Sequence, residues 1–176
     1  VKGVIFTGST EVAQLINETL AERSVRENCD IALIAETGGQ NALIVDSSAL
    51  PEQVVQDVMT SAFDSAGQRC SALRVLFLQE DIAEKTIKML KGAMKELRVS
   101  VPDRLSTDIG PVIDAEAQAN LLRHIERMKG SARSFYQLEL PELNGTFVPP
   151  TVIEIGSLAE LTYEVFGPVL HVVRYK

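Results

Sequence analysis

Cys70 lies in the run Gly67-Gln68-Arg69-Cys70-Ser71, where a helical pattern ends at Gly67 and a buried-strand pattern begins at Ala72. A thiol in a turn at the edge of an α/β sheet is placed to face a cleft as a nucleophile. The other role for such a residue is a small buried hydrophobe. Glu36 follows the apolar run 31–35 and opens Glu36-Thr37-Gly38-Gly39-Gln40-Asn41. A carboxylate half-buried at a strand end can act as a general base, whereas one left in solvent is an edge charge. Thr7-Gly8-Ser9-Thr10 sits between a strand pattern and the helix-spaced Val12, Ala13, Ile16 and Leu20. Such a turn either caps a helix or offers its N–H groups to an anion. A fourth cluster, Glu164-Val165-Phe166-Gly167-Pro168, sets an acid beside an aromatic ring just before a final strand pattern.

The elements that must position these groups alternate. Residues 1–6 read as a short buried strand, 31–35 and 42–45 as further strands, and 73–78 and 169–175 as buried ones. Asp46, Ser47, Ser48 and Pro51 signal a turn and a helix start. Val54, Val55, Val58, Met59, Ala62, Phe63 and Ala66 then recur on one helical face, as core. Strand, helix, strand at this length is a βαβ unit, so the sheet is parallel with a right-handed crossover. A helix over 82–97 turns Thr86, Ile87, Leu90, Met94 and Leu97 inward and its lysines outward. Asp114 caps a helix whose apolar side is Leu121, Leu122, Ile125 and Met128, with His124 beside that stripe and partly exposed. His171 alternates inside the last strand and reads as structural. Pro149-Pro150 cannot sit in a central ladder. The fold class is therefore α/β, an open, mostly parallel sheet with flanking helices.

The bulk numbers bound the function. The 176 residues are 45% hydrophobic and 23% charged, a composition able to bury a core. A net charge of -7 argues against a nucleic-acid footprint. Two cysteines without a repeated spacing give neither a disulfide framework nor a zinc site, and fit a reducing, cytoplasmic compartment. No run reaches transmembrane length and no signal peptide opens the chain. Val1 opens in mid-strand and Lys176 follows an apolar run directly, as in an excised fragment.

Phe6-Thr7-Gly8-Ser9-Thr10, Glu36-Thr37-Gly38-Gly39-Gln40, Gly67-Gln68-Arg69-Cys70 and Glu164-Val165-Phe166-Gly167-Pro168-Val169 stand in one order along nearly the whole chain. Together they resemble the NAD(P)-dependent aldehyde dehydrogenase superfamily. The runs from Ile34 to Ala42 and from Ala66 to Arg74 resemble, within it, the dehydrogenase module of the bifunctional proline utilization A flavoproteins. That resemblance implies oxidation of L-glutamate γ-semialdehyde to L-glutamate with NAD, FAD serving a separate proline-oxidising domain.

It further implies Cys70 as nucleophile, its backbone N–H as an oxyanion donor, and Glu36 as the base for water. Gly8 and Ser9 are expected at the cofactor pyrophosphate, Glu164 at the nicotinamide ribose, Phe166 beside the nicotinamide and Ser71 at the substrate carboxylate. Arg69 either is structural or favours the Cys70 thiolate; Cys29 has no catalytic role.

Residues 1–38 resemble the C-terminal remnant of an NAD-binding domain, and 39–176 most of the catalytic, thiol-bearing domain. Expected partners are a small-molecule substrate and the rest of a parent chain, itself homo-oligomeric and membrane-associated in some members. The fragment alone is expected to be inactive, and Cys70 and Glu36 are expected to face one cleft. Two other readings remain at this point: an aldehyde dehydrogenase of another substrate, and a non-catalytic interaction module or cysteine hydrolase.

Overall fold

Short apolar strands alternate with helices carrying one apolar stripe, a pattern that must bury both against each other. The computed structural model describes residues 1–176 and divides into two compact units, Val1–Gly39 and Gln40–Lys176.

In the first unit, β1 (Gly3–Thr7) and β2 (Ala32–Glu36) pair in parallel through the crossover helix α1 (Thr10–Glu27). Helix α1 starts at Ser9, whose Oγ accepts from the Val12 N–H at 3.3 Å. It ends at Asn28, in the left-handed region at φ 45°. The expectation of a buried strand over 1–6 is corrected here. The residues of β1 alternate between exposed and half-buried, with Ile5 81% exposed, because a two-stranded ribbon has one helix to lean on.

The second unit holds a five-stranded sheet in the order β3-β4-β7-β6-β5. Its strands are β3 (Ala42–Val45), β4 (Val75–Gln79), β5 (Ser134–Gln137), β6 (Thr151–Glu154) and β7 (Val169–Tyr175). The pairs β3–β4, β4–β7 and β7–β6 are parallel, and β5 closes the edge antiparallel to β6. The centre is mostly apolar, as a parallel sheet covered on both faces requires: Leu76, Leu78, Leu170 and Val172 are fully buried. Helices α2 (Pro51–Phe63) and α3 (Glu80–Met94) supply Val58, Phe63, Leu90 and Met94 to that core. The double proline falls just ahead of β6, outside the ladder. Glu154, buried on β6, is held bidentate by Arg174 of β7 at 2.8 and 3.0 Å.

Helix α4 (Ala115–Lys129) begins at Asp114, whose carboxylate accepts from the Ala117 N–H at 2.8 Å. Two expectations for α4 are corrected. Leu122 is 41% exposed, one position off the buried stripe of Leu121, Ile125 and Met128. His124 is 2% exposed, because the sheet covers it. No helix is long and apolar enough to cross a membrane.

Candidate active site

The thiol turn begins earlier than the hydrophobic period suggests. Helix α2 stops at Phe63, and a single 3-10 turn, Asp64–Gly67, follows. Within it Ser65, Ala66 and Gly67 are all left-handed, at φ 56°, 52° and 64°. For the two non-glycine residues this is strained, at about 1–2 kcal/mol each, so the surroundings must over-determine it. They do. Gln68 N–H donates to Ser65 O at 3.0 Å, Ala66 is buried, and a Cβ on Gly67 would meet Gly167 O at 2.2 Å. The strand pattern expected from Ala72 starts only at Val75, since residues 70–72 finish the turn.

Beyond this reversal, Asn41 clamps the thiol-bearing residue. Its Nδ2 donates to Cys70 O at 2.7 Å and to Ala72 O at 2.9 Å. Leu73 N–H donates to Ser61 O and Ala72 N–H to Arg69 O, while the Cys70 N–H takes no part in these backbone bonds. Cys70 itself is free and exposed, and Ser71 beside it is exposed. The role of a small buried hydrophobe is thereby excluded. Arg69 donates through Nη2 to Thr60 O at 2.9 Å and leaves its Nε without an acceptor, so it braces the turn against α2.

The loop 161–167 is the second half of this site. Gln40 Nε2 donates to Leu161 O and Tyr163 O, both at 3.3 Å, and Gly167 N–H to Val165 O at 3.0 Å. Glu164 is half-buried and Phe166 is 41% exposed. Both line a cleft of about 570 Å³ together with Tyr163, Leu121, His124 and Gln68. A side chain at Gly167 would collide with Leu121 of α4, at 2.4 Å from its Cβ.

Arg74 joins the two halves; it closes the run from Ala66 that carries the resemblance, which gave it no role. It is 1% exposed, at the mouth of β4. Nη1 donates to Gly67 O at 2.6 Å and Gly167 O at 3.3 Å; Nη2 donates to Arg69 O at 3.0 Å and to Glu164 Oε1 at 3.4 Å. Its guanidinium carbon lies 5.0 Å from the centre of the Phe166 ring. Burial pushes the Arg74 guanidinium down, and Glu164 opposes that push. The available signal was a lone basic residue within an otherwise apolar run, Ala72 to Leu78.

A pair of buried histidines backs the cleft. His124 Nε2 and His171 Nε2 are 2.9 Å apart, and Arg127 Nη2 and Tyr163 Oη lie 3.2 and 3.3 Å from His124 Nδ1. Arg127 can only donate, so His124 Nδ1 accepts and its Nε2–H donates to His171. The hydrogen of His171 then sits on Nδ1, which meets no acceptor. Burial first, then the Arg127 charge, holds His124 down to about 4; burial first, then His124, holds His171 down to about 3. Arg127 and Arg74 both oppose protonation of His171.

With folded values below the ordinary 6.5, acid favours the unfolded chain, which takes up protons that the folded pair refuses. Stability is full above pH 6.5 and is expected to fall by about 3 kcal/mol for each histidine as pH drops toward 4. Urea midpoints across that range check it. A His124→Met/His171→Met chain should lose this acid slope, and an unchanged slope would refute the assignment.

In the first unit, the register of β1 and β2 places Thr7 opposite Glu36, and Gly8 N–H donates to Glu36 O at 3.1 Å. Gly8, Ser9 and Glu36 therefore gather at the C-terminal ends of two parallel strands, the edge where open α/β sheets bind ligands. A Cβ on Gly8 would strike the Phe6 ring at 2.5 Å. Glu11, in the first turn of α1, is held below the usual carboxylate range by its backbone hydrogen bond and by Ser9. Glu36 is exposed rather than half-buried, because nothing in this ribbon covers the strand end. Cys29 is free and exposed at the end of α1, with no polar side chain bonded to it.

Known proteins resemble the chain over its whole length. The chain is 62% identical over 99% of its length to the bifunctional protein PutA of Salmonella typhimurium, and 58% identical over 99% to that of Rhizobium meliloti. It spans 14% of each of those relatives. A crystal structure of a Bradyrhizobium japonicum proline utilization A variant superposes over 100% of the chain and 18% of its own, with a TM-score of 0.94 at 53% identity. A 1-pyrroline-5-carboxylate dehydrogenase from Thermus, solved with bound NAD, does so over 100% and 34%, with a TM-score of 0.91 at 31% identity. The model of the aldehyde dehydrogenase family matches residues 1–176 from end to end. Matched by that model over its full length, this chain belongs to the aldehyde dehydrogenase family.

Proposed function

We propose that the chain is the thiol-bearing segment of an NAD-dependent aldehyde dehydrogenase that oxidises L-glutamate γ-semialdehyde to L-glutamate in proline catabolism. The observation that carries this reading is the exposed, free Cys70 in a turn tied through Arg74 to Glu164 and Phe166. The identities with PutA proteins and with a 1-pyrroline-5-carboxylate dehydrogenase favour this substrate over other aldehydes. Residues 1–38 are read as the end of the NAD-binding domain and 39–176 as most of the thiol domain. The partners are a small-molecule aldehyde and the remainder of a parent chain, in the cytoplasm. An FAD-dependent proline-oxidising domain would belong to that remainder.

The second unit suits a nicotinamide riboside: Glu164 offers a carboxylate and Phe166 an exposed aromatic surface, both on one cleft. In the first unit, Gly8 and Ser9 at the start of α1 suit a pyrophosphate. A bound nicotinamide supplies the hydride acceptor. The Cys70 thiolate adds to the aldehyde carbon, forming an S–C bond while the carbonyl electron pair moves to oxygen. The Cys70 N–H, unused in the turn, is the donor that steadies that oxyanion. Loss of hydride leaves a thioester on Sγ. Glu36, exposed at its strand end, keeps the role the family resemblance gives it: it takes a proton from water as it attacks, and the C–S bond breaks to release the carboxylic acid and the thiolate. Ser71 is assigned to the substrate's carboxylate end.

The test uses the complete polypeptide that carries these residues, with NAD and a panel of aldehydes. L-Glutamate γ-semialdehyde should exceed simple aliphatic aldehydes in kcat/KM by about a hundredfold or more, since a site built for polar groups rejects substrates lacking them. Equal rates would leave a dehydrogenase of another aldehyde; absence of NADH with every aldehyde would overturn the reading.

A further inference from the structure

We infer that Arg74 is a positioning residue, a single buried guanidinium that sets the thiol turn and the Glu164–Phe166 loop in register with each other. The inference rests on the reading of Cys70 as nucleophile and of Glu164 and Phe166 as cofactor contacts. Four of the five N–H groups of Arg74 are used: two go to carbonyls of the thiol turn, Gly67 and Arg69, and two to the other loop, at Gly167 O and Glu164. The fifth, at Nε, has no acceptor. The same plane lies over the Phe166 ring.

A core position this deep ordinarily holds an apolar side chain, because an ionised group buried without full pairing is costly. Here the charge stands where two glycines bring the loops into backbone contact: a Cβ on Gly67 would lie 2.2 Å from Gly167 O. At that separation a planar fork can reach oxygens on both sides at once. A lysine offers three donors on one nitrogen and no flat face, so it cannot reach all four oxygens at once or lie over the Phe166 ring.

The arrangement makes Glu164 an indirect neighbour of the thiol. Its carboxylate meets the thiol turn through Arg74, at 3.4 Å, and by no other hydrogen bond. Weakening that ion pair should therefore be felt at Cys70 even when no cofactor is present. A merely structural arginine would not transmit it.

The experiment measures alkylation of Cys70 by iodoacetamide without NAD, peptide by peptide, in the complete polypeptide. Cys29, in the other unit, is the internal reference. Glu164→Gln keeps the size of a half-exposed loop residue and should change the Cys70 rate at least about threefold, with Cys29 unchanged. Arg74→Lys should change the Cys70 rate as much, and the double variant should add nothing further, as a shared path requires. With NAD and aldehyde, Arg74→Lys should raise the KM for NAD about tenfold or more while thermal unfolding stays cooperative.

A Cys70 rate within experimental error of the parent in Glu164→Gln overturns the inference, and so do additive effects in the double variant. If Arg74→Lys fails to fold, Glu164→Gln decides alone. Alkylation needs no turnover, so a response at Cys70 without NADH formation leaves the inference standing and the proposed reaction refuted. NADH formation without that response does the reverse.

Discussion

In the complete polypeptide, Cys70→Ala is expected to lower aldehyde oxidation by roughly a thousandfold or more, with folding unchanged. The thiol is the group that forms and breaks the bond to carbon in the proposed reaction, and no other cysteine stands near it in the second unit. Truncating it leaves the turn intact, because Asn41 holds the carbonyl of Cys70 and not its side chain. Cys70 is also exposed, so little packing is lost. The measurement is NADH formation at saturating NAD and aldehyde, beside a thermal melt. Activity within about tenfold of the parent would remove Cys70 from the mechanism. Cys29→Ala serves as the control and should leave the rate unchanged, since it sits at the end of α1 in the other unit.

The largest effect on stability is expected from Gly67→Ala, a loss of about 3 kcal/mol or more. Two independent costs add. The residue is left-handed at φ 64°, where an alanine is strained by about 1–2 kcal/mol. The new methyl would also lie 2.2 Å from Gly167 O and 2.8 Å from Ala62 O, both backbone atoms that cannot rotate away. Relief would require the two loops to part, and that removes the geometry in which Arg74 bonds both. Urea unfolding reads the loss directly; a change below about 1 kcal/mol would show that the loops separate freely. Because Ser65 and Ala66 share the left-handed region, the whole reversal is a strained device that depends on this close contact.

The parts legible in the sequence were those with a local cause. The period-two and period-3.6 patterns placed β3 and β7 at their observed bounds, 42–45 and 169–175, and set α2, α3 and α4 within a few residues. Asp114 read as an N-cap because the preference is a property of one side chain and the three N–H groups after it. The open, mostly parallel sheet followed from strand–helix–strand spacing, since short connections leave few topologies. Errors fell where packing overrides pattern. The α2 period runs on to Ala66, yet the helix breaks at Phe63, because Ala66 is buried as part of a left-handed reversal rather than as a helical turn.

The residues that hold the site together were visible only in three dimensions. Arg74 meets Glu164 across 90 positions, Gln40 meets Tyr163 across 123, and His124 meets His171 across 47. No spacing rule carries information over such separations. The sequence by itself determined which groups could react: one thiol in a Gly-led turn, one acid at a strand end, one acid beside an aromatic ring. Tertiary structure decided which groups restrain them, because a buried arginine, an amide clamp and a neutral histidine pair acquire their partners only when distant strands and loops close on one core.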